Sequence, residues 1–394
     1  MKKLLLASAA TALMAGSATA DEIKIGVMLG FTGPAESLSE DMASGAEAAL
    51  KEISDSGKFL NGTTISTVRG DTTCTDASVA TAVAERMITS DGVSGIFGGL
   101  CSGATIAALQ NASVPNGMVQ ISASSTSPAL TTIEDNGLFF RTAPSDARQG
   151  EVMAQILMDE GVKSVAVTYT NNDYGKGLAD AFEAAYTKLG GEVTINAAHE
   201  DGKADYTAEV SALAAAGGEL LVVAGYLDQG GPGIIRAALD TGAFDRFHLP
   251  DAMIGSSIEN AFGTELDGTM GQLPGADNPK AEALVGIGEA NGYNGLAPYA
   301  AESYDAAAIM GLAMQAAGTA DPMVYKDYMF SVANAPGVKI YPGELGKALE
   351  LISAGTDIDY VGGSALELIE PGEAAGSYRV IVTEGGKHVT AGYR

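Results

Sequence analysis

The chain has 394 residues, of which 46% are hydrophobic, and its 22 Lys and Arg against 49 Asp and Glu give a formal net charge of −27. This length suffices for two domains of ordinary size, and the apolar content excludes a disordered chain. The acidity excludes nucleic-acid binding, which requires Lys and Arg to neutralise phosphates, and it also disfavours an anionic membrane surface.

The first 20 residues have the three-part pattern of a secretory signal peptide. Lys2 and Lys3 form a positive region, an apolar stretch covers residues 4–15, and Ala-Thr-Ala at residues 18–20 matches a signal-peptidase site. The stretch is short, rich in alanine and followed at once by acidic residues, which favours a cleaved signal over a membrane anchor. We therefore expect a mature chain that begins at Asp21 and is located in the periplasm.

Two successive sets of alternating strands and helices follow. The first set is predicted to contain strands at residues 23–29, 65–68, 93–97 and 114–121 and helices at residues 39–54, 77–90 and 102–111. The second set is predicted to contain helices at residues 146–160, 174–189, 206–216 and 233–241 and strands at residues 164–169, 192–196, 220–224 and 247–249. A crossover rich in Gly, Pro and Asp at residues 263–279 precedes helices at residues 280–290, 300–317 and 322–333 and a strand at residues 378–382. The alternation predicts an α/β fold of two similar lobes with largely parallel sheets.

Ligands of open α/β sheets bind beyond the carboxyl ends of the strands. That rule nominates the loops at residues 98–103, 122–127, 170–175, 225–231 and 251–257. In the first of these loops, Ser102 lies at a predicted helix N-terminus, where a hydroxyl and free backbone N–H groups either receive a carboxylate or only cap the helix. The second loop is a run of hydroxyls that either binds a ligand or forms a polar turn before Pro128.

Cys74 and Cys101 are the two cysteines of the sequence, and in an oxidising compartment such a pair favours one disulfide over two buried thiols. Residues 99–103 (Gly-Leu-Cys-Ser-Gly) also resemble a nucleophile elbow, but a cysteine hydrolase needs Cys101 as a free thiolate near a histidine. The three histidines are isolated and match no metal spacing. The sequence therefore favours a binding protein over an enzyme.

Segments at these loops occur together in the order and spacing of a known family. They are IKIGVMLGFTGP from residue 23, the Cys74 segment, GGLCSGAT from residue 98, ISASSTSPALT from residue 121, TNNDYGKGLA from residue 170 and VVAGYLDQGG from residue 222. Through them the chain resembles the leucine/isoleucine/valine-binding family of periplasmic receptors over essentially the whole mature sequence. The resemblance implies a type I periplasmic binding protein, with two Rossmann-like lobes joined by a three-strand hinge. We expect residues 21–142 and 272–374 to form the first lobe and residues 143–271 and 375–394 to form the second.

The resemblance also implies an amino-acid site on these loops. When the family's site is carried over position by position, Ser102, Ser124 and Thr126 bind the backbone part of the ligand. Tyr174 and Tyr226 face the ligand from the second lobe. Asp251 occupies the position of a family glutamate that pairs with the ligand ammonium, although an Asp after a strand also serves as a simple cap. Cys74 and Cys101 fall on the family's disulfide, in agreement with the inference from their number.

Two departures from the family concern the ligand side chain. Leu38 stands where branched-chain receptors commonly have an aromatic residue, and Ala301, with Glu302 beside it, occupies a second such position. The resemblance therefore implies a side-chain subsite that differs in shape from that of a branched-chain receptor.

The sequence thus predicts a monomeric substrate-binding protein of an ABC importer that captures a branched-chain or related amino acid and delivers it to membrane permease subunits, without a cofactor. A receptor for a carboxylic acid without an α-amino group, such as an aromatic acid, is the alternative. Asp251 disfavours a receptor for such an acid, because a buried carboxylate needs a cationic partner.

Overall fold

The computed structural model describes residues 21–394, so the predicted signal peptide at residues 1–20 lies outside the described residues. Across residues 21–394, no helix combines the length and apolar character needed to cross a bilayer.

Sixteen strands and thirteen α-helices make up this part of the chain. The strands are β1 (Glu22–Leu29), β2 (Thr64–Asp71), β3 (Ile96–Gly98), β4 (Gln120–Ser122), β5 (Phe139–Pro144), β6 (Ser164–Thr170), β7 (Glu192–His199), β8 (Leu220–Ala224), β9 (Phe247–Leu249), β10 (Met270–Pro274), β11 (Val338–Ile340), β12 (Ile358–Tyr360), β13 (Leu368–Ile369), β14 (Glu373–Ala374), β15 (Tyr378–Glu384) and β16 (Lys387–Tyr393). The helices are α1 (Glu36–Asp55), α2 (Ala77–Arg86), α3 (Ser102–Ala108), α4 (Asp146–Asp159), α5 (Asp173–Lys188), α6 (Thr207–Ala216), α7 (Gly231–Thr241), α8 (Ser256–Phe262), α9 (Ala283–Asn291), α10 (Ala300–Ala317), α11 (Pro322–Tyr325), α12 (Met329–Ala333) and α13 (Leu345–Ser353).

Two seven-stranded sheets divide the strands between two lobes. The first sheet has the order β13-β14-β5-β4-β3-β1-β2, and its strands β1 to β5 and β14 are parallel. The second has the order β16-β15-β10-β9-β8-β6-β7, with β15 antiparallel to both of its neighbours. The remaining pair, β11 and β12, forms a small parallel sheet of its own. The predicted α/β fold with two mainly parallel sheets is confirmed.

Apolar faces explain why the helices cover these sheets. In α1 the residues that recur at helical spacing, among them Met42, Ala46, Ala49 and Ile53, are buried, and the helix packs on β2 and α10. In β1 the last five residues are all buried, as expected for a parallel strand covered on both faces. Helices α9 to α13 return to the first lobe, where α10 packs on β4 and β5.

The chain passes between the two sheets three times. It leaves the first sheet after Pro144, returns after Pro274 and leaves again after Ala374. The predicted lobe boundaries at residues 142/143 and 271/272 fall inside β5 and β10, and the third falls between β14 and β15. These exact boundaries stay a prediction.

Several elements differ from the sequence expectation. The strand expected at residues 114–121 is a 3-10 turn at Val114–Asn116 followed by the three-residue β4, because Pro115 cannot donate to a sheet and Gly117 takes a positive φ of 65°. Part of the expected crossover at residues 263–279 is β10, which pairs with β15 more than 100 residues away in sequence, a partner that local pattern does not reveal. Helices α8 and α13 and strands β5, β11 to β14 and β16 were also absent from the sequence expectation.

Candidate functional site

The loops nominated by the strand-end rule meet between the two lobes. Each follows a strand, namely β3, β4, β6, β8 and β9. The two lobes are in direct contact here, since Ser127 Oγ of the first lobe donates to the backbone oxygen of Asp173 at the start of α5 (3.0 Å). The structure is therefore a closed arrangement of the lobes over a buried interface.

Asp251 is the best-connected predicted residue of this interface. Its side chain is fully buried. It accepts hydrogen bonds from Tyr174 Oη at Oδ1 (2.7 Å) and from Tyr299 Oη at Oδ2 (2.6 Å). Burial raises the pKa of Asp251, and the hydrogen bonds from Tyr299 and Tyr174 oppose that rise. Because Tyr299 comes from the segment that precedes α10, this carboxylate joins the two lobes.

Asp146, the first residue of α4, lies beside Asp251 and was not predicted from sequence. It is fully buried, and neither of its carboxylate oxygens has a hydrogen-bond partner within the described chain. Burial and then the charge of Asp251 raise the pKa of Asp146 well above its usual range. The Thr126 hydroxyl and both amide atoms of Gln149 are likewise buried and outside hydrogen-bond geometry with any partner in residues 21–394, but Thr126 is close enough to oppose the rise in the pKa of Asp146, and Gln149 that of Asp251. We call Asp146, Asp251, Tyr174 and Tyr299 the carboxylate cluster.

Tyr174 and Tyr226 form an aromatic wall next to this cluster. Their rings stack with centroids 5.3 Å apart and an interplanar angle of 23°. Tyr226 Oη also accepts a hydrogen bond from Asn172 Nδ2 (3.4 Å). Both rings are buried, so the stacked pair has a fixed orientation.

The first lobe contributes a loop of hydroxyl groups, most of which are already engaged. Ser102 Oγ accepts from the backbone N of Ser127 (3.1 Å), and Ser124 Oγ donates to the carbonyl of Leu100 (3.0 Å). Arg141 holds the loop from below, since its Nη1 donates to the carbonyls of Ser125 (3.1 Å) and Ser127 (3.0 Å). The same guanidinium forms a 2.5 Å ion pair with Glu373 on β14. The loop is thus fixed before any ligand binds.

Cys74 and Cys101 form a disulfide, as predicted, with sulfurs 2.10 Å apart. The bond ties the loop after β2 to the residue that precedes α3, directly beside Ser102. It leaves Cys101 without the free thiol that the hydrolase hypothesis requires. Within residues 21–394, no group of three or more His, Cys, Asp or Glu side chains is placed to hold a metal ion.

Six of the predicted site residues lie around the carboxylate cluster and the loop of hydroxyl groups, and the other three line two cavities beside them. The six are Ser102, Ser124, Thr126, Tyr174, Tyr226 and Asp251. Leu38 lines a cavity of about 270 Å³ between the lobes, together with Leu227, Ile254 and Gly255. Ala301 and Glu302 line a second cavity of about 270 Å³ near the interlobe connections, where burial raises the pKa of Glu302 to about 7.

Tyr299, and not Ala301, supplies the aromatic side chain that reaches the carboxylate cluster. Ala301 instead packs against Gly363, since a Cβ placed on Gly363 would lie 3.3 Å from the Ala301 Cβ. Tyr299 has a φ of 63°, which is rare for a bulky residue and is concentrated at functional positions. Asp146 had a sequence signal, an acid directly after the Ser145 cap of a helix, but that pattern is also typical of ordinary helix starts.

A sequence profile described as periplasmic binding protein matches residues 22–333. The chain belongs to this family. Among its relatives, Leu/Ile/Val-binding protein homolog 1 of Brucella melitensis is 32% identical over 325 residues, which covers 80% of this chain and 84% of that protein. The leucine-, isoleucine-, valine-, threonine- and alanine-binding protein of Pseudomonas aeruginosa is 29% identical over 325 residues, with 82% and 86% of the two chains covered.

Solved structures of the family have the same fold. A leucine binding protein from Thermotoga maritima superimposes with a TM-score of 0.80 at 22% identity, covering 94% of this chain and 98% of that one. A branched-chain amino acid transporter substrate binding protein from Streptococcus pneumoniae, in complex with isoleucine, gives 0.78 at 21% identity, with 95% and 99% covered. A solute binding protein from R. palustris in complex with benzoate gives 0.76 at 18% identity, with 94% and 96% covered. The expected type I periplasmic binding protein fold is confirmed.

Proposed function

We propose that this protein is a periplasmic receptor that captures a free amino acid between its lobes and delivers it to the permease subunits of an ABC importer. The observation that supports this most strongly is the carboxylate cluster, in which Asp146 and Asp251 are both fully buried and near enough that the charge of Asp251 raises the pKa of Asp146. The proposal involves no chemical change of the ligand and requires no cofactor.

The carboxylate cluster has the chemistry of an ammonium site. Two buried carboxylates without a cation repel each other and are costly to ionise, which is why the pKa of Asp146 is raised. An ammonium group offers three donors and a positive charge, and so offsets both the repulsion and the unpaired oxygens of Asp146.

The hydroxyl loop of the first lobe is suited to the ligand carboxylate. Thr126 Oγ1 is buried and outside hydrogen-bond geometry with any partner of the described chain, and it lies close enough to Asp146 to oppose the rise in the pKa of that carboxyl, so it is available to donate to a ligand where the two lobes meet. Arg141, held by the carbonyls of Ser125 and Ser127, also brings positive charge beneath the loop. One lobe thus presents donors and the other acceptors, which matches a zwitterion and orients it across the interface.

Closure of the lobes completes the site. Tyr299 of the first lobe reaches Asp251 of the second, and the hydrogen bond between Ser127 and Asp173 joins the loops that flank the ligand. A ligand that contacts both lobes therefore favours the closed arrangement, by the hinge motion typical of this architecture. The closed form then presents a surface of both lobes to the permease.

An aromatic acid is the second candidate, because the stacked tyrosines provide a flat apolar wall. The carboxylate cluster disfavours it, since a ligand carboxylate without an ammonium adds a third negative charge or leaves Asp146 and Asp251 uncompensated.

A thermal-shift comparison of matched ligands tests the proposal. We expect one or more of the twenty amino acids to raise the unfolding temperature, and a ligand at 100 times its dissociation constant stabilises by about 2.7 kcal/mol. L-leucine is compared with 4-methylpentanoate, which lacks only the amino group, and with benzoate. A shift with benzoate or the deaminated acid and with no amino acid would overturn the proposal in favour of the acid receptor.

A further inference from the structure

A second set of contacts joins the lobes around Asp228, in the loop that follows β8. The backbone N of Asp228 donates to the carbonyl of Pro34 (3.0 Å), and Asp228 Oδ2 accepts from the backbone N of Ser37 (2.9 Å). Asp228 Oδ1 accepts from Ser257 Oγ (2.6 Å), which lies 3.0 Å from Ser37 Oγ. Pro34 and Ser37 belong to the first lobe, Asp228 and Ser257 to the second. We call these four residues the interlobe latch.

The latch supplies a cap that α1 does not have in its own lobe. Ala35 precedes the helix and offers no side-chain acceptor. Ser37 is the second residue of α1, so its backbone N–H points out of the helix end and has no partner in the helix. The Asp228 carboxylate satisfies this N–H and opposes the partial positive charge at the helix N-terminus. The N-terminus of α1 is therefore capped by the opposite lobe, and only when the lobes are closed.

The latch is attached to two ligand loops, and of its four residues only Ser37 lines the cavity that also contains Leu38. Asp228 follows Tyr226 by two residues, and Ser257 is the second residue of α8, which follows the loop that begins with Asp251. No hydrogen bond in the described chain links a latch residue to the carboxylate cluster. Asp228 itself lines neither that cavity nor the carboxylate cluster, so a change at Asp228 alters lobe closure and leaves the hydrogen bonds of the cluster in place.

We propose that Asp228 is a positioning residue that stabilises the closed arrangement even without a ligand and thereby sets how long the ligand stays bound. The affinity of a protein for its ligand scales with the population of the binding-competent arrangement. Contacts between the lobes that do not involve the ligand raise that population. Removal of the Asp228 carboxylate lowers the ratio of closed to open protein by about tenfold, as expected for one hydrogen bond to a charged acceptor.

Asp76 provides a matched control for a purely structural role. Its carboxylate accepts from the backbone N of Ser78 (2.8 Å) and Val79 (3.4 Å) and so caps α2 within the first lobe. Asp228→Ala and Asp76→Ala each remove one carboxylate that caps a helix. The first cap spans the two lobes and the second does not. Asp76→Ala is expected to lower the unfolding temperature and to leave lobe closure unchanged.

Single-molecule energy transfer on the ligand-free mature protein measures closure directly. Dyes are attached at Lys51→Cys on α1 and Lys188→Cys on α5, one exposed position on each lobe. We expect a smaller closed fraction in Asp228→Ala than in the wild type and in Asp76→Ala, and a partial loss in Ser257→Ala. A closed fraction that is the same in wild type and Asp228→Ala overturns the proposal, whatever any ligand does.

Release of L-leucine, followed by stopped flow, is the second measurement, and this arm alone rests on the proposed function. We expect Asp228→Ala to release L-leucine about tenfold faster, with an association rate within twofold of the wild type. An unchanged release rate also overturns the proposal. If the wild type binds no amino acid, the proposed function fails, while the energy-transfer comparison still decides the role of Asp228.

Discussion

Two buried acidic regions of this molecule have opposite surroundings. Asp305 on α10 accepts hydrogen bonds from Tyr360 Oη (2.8 Å), the backbone N of Gly363 (2.9 Å), and the backbone N and Oγ of Ser364 (2.8 and 2.6 Å). Asp146 accepts none from the described chain. Burial raises the pKa of both carboxyls, so burial alone does not distinguish them. The number of hydrogen-bond donors distinguishes them. A carboxylate whose oxygens all accept hydrogen bonds from its own chain supports the fold, and a carboxylate without such donors is available to a ligand.

The largest effect on stability is expected at Asp305. Asp305→Ala leaves the donors of Tyr360, Gly363 and Ser364 buried without an acceptor, which should lower the free energy of unfolding by about 3–5 kcal/mol. Guanidinium unfolding measures this change. The folded fraction should keep the wild-type affinity for its amino acid, and a loss of affinity without a loss of stability would contradict the structural role of Asp305.

Asp251→Asn should have the largest effect on binding. The substitution preserves the shape of the side chain and removes the charge that faces the ligand ammonium, at an expected cost of about 2–5 kcal/mol in binding free energy. Calorimetry with L-leucine and 4-methylpentanoate measures the preference for the amine in both proteins. If the mutant keeps the wild-type preference, ammonium recognition belongs to other residues, with Asp146 the first to test.

Asp146 should make the stability of the ligand-free protein depend on pH. The pKa of its carboxyl is raised in the folded state by burial and by the charge of Asp251, so its stabilising contribution is full below the unfolded value of about 3.8 and is lost as pH rises through the folded pKa. Ligand-free wild type should therefore gain unfolding temperature on acidification from pH 7 to pH 5, relative to Asp146→Asn. Parallel curves for the two proteins would contradict this assignment.

The affinity for an amino acid should depend on pH in the opposite direction to the stability of the ligand-free protein. Because an ammonium favours the ionised form of Asp146, binding of an amino acid should release protons and tighten as pH rises from 5 to 7. Calorimetry in two buffers with different ionisation enthalpies counts the protons released. Asp146→Asn is the control and should release fewer.

The smallest expected effects on ligand binding are those of substitutions at Tyr299 and Ala301. Tyr299→Phe removes only the hydroxyl that donates to Asp251 and should weaken amino-acid binding by about 1 kcal/mol. Ala301→Phe should change the preference among amino acids little, because the Ala301 side chain packs against Gly363. A marked shift toward small aliphatic ligands in Ala301→Phe would instead restore the subsite inferred from the family resemblance.

Sequence reasoning was most successful where local rules apply. Loops after buried strands can be located from pattern alone, and these loops carry Ser102, Thr126, Tyr174 and Asp251 to one interface. Asp146 was missed because an acid in the first turn of a helix is common for reasons unrelated to ligands. Its unpaired state depends on residues far apart in sequence, which only the folded chain reveals.

Other misses have the same cause. Tyr299 reaches Asp251 through a left-handed backbone conformation, for which a tyrosine gives no sequence signal. The strands β5 and β10 that lead toward the second and first lobes were not predicted, and each has one partner, β14 or β15, that comes at the end of the chain. The lobe boundaries derived from the family accordingly fall inside both strands.

The order of strands in the first sheet has a consequence for biosynthesis. Strands β1 to β5 are made first, but β13 and β14, which complete that edge of the sheet, end only at Ala374. The charge of Arg141 on β5 is likewise paired only after Glu373, more than 200 residues later in the chain, has been synthesised. Contacts of such long range form slowly, because a large loop must close before they give any stabilisation. A chain emerging N-terminus first thus lacks the last strands of its first sheet until synthesis is nearly finished, and the first lobe completes its folding only after the second lobe has been made.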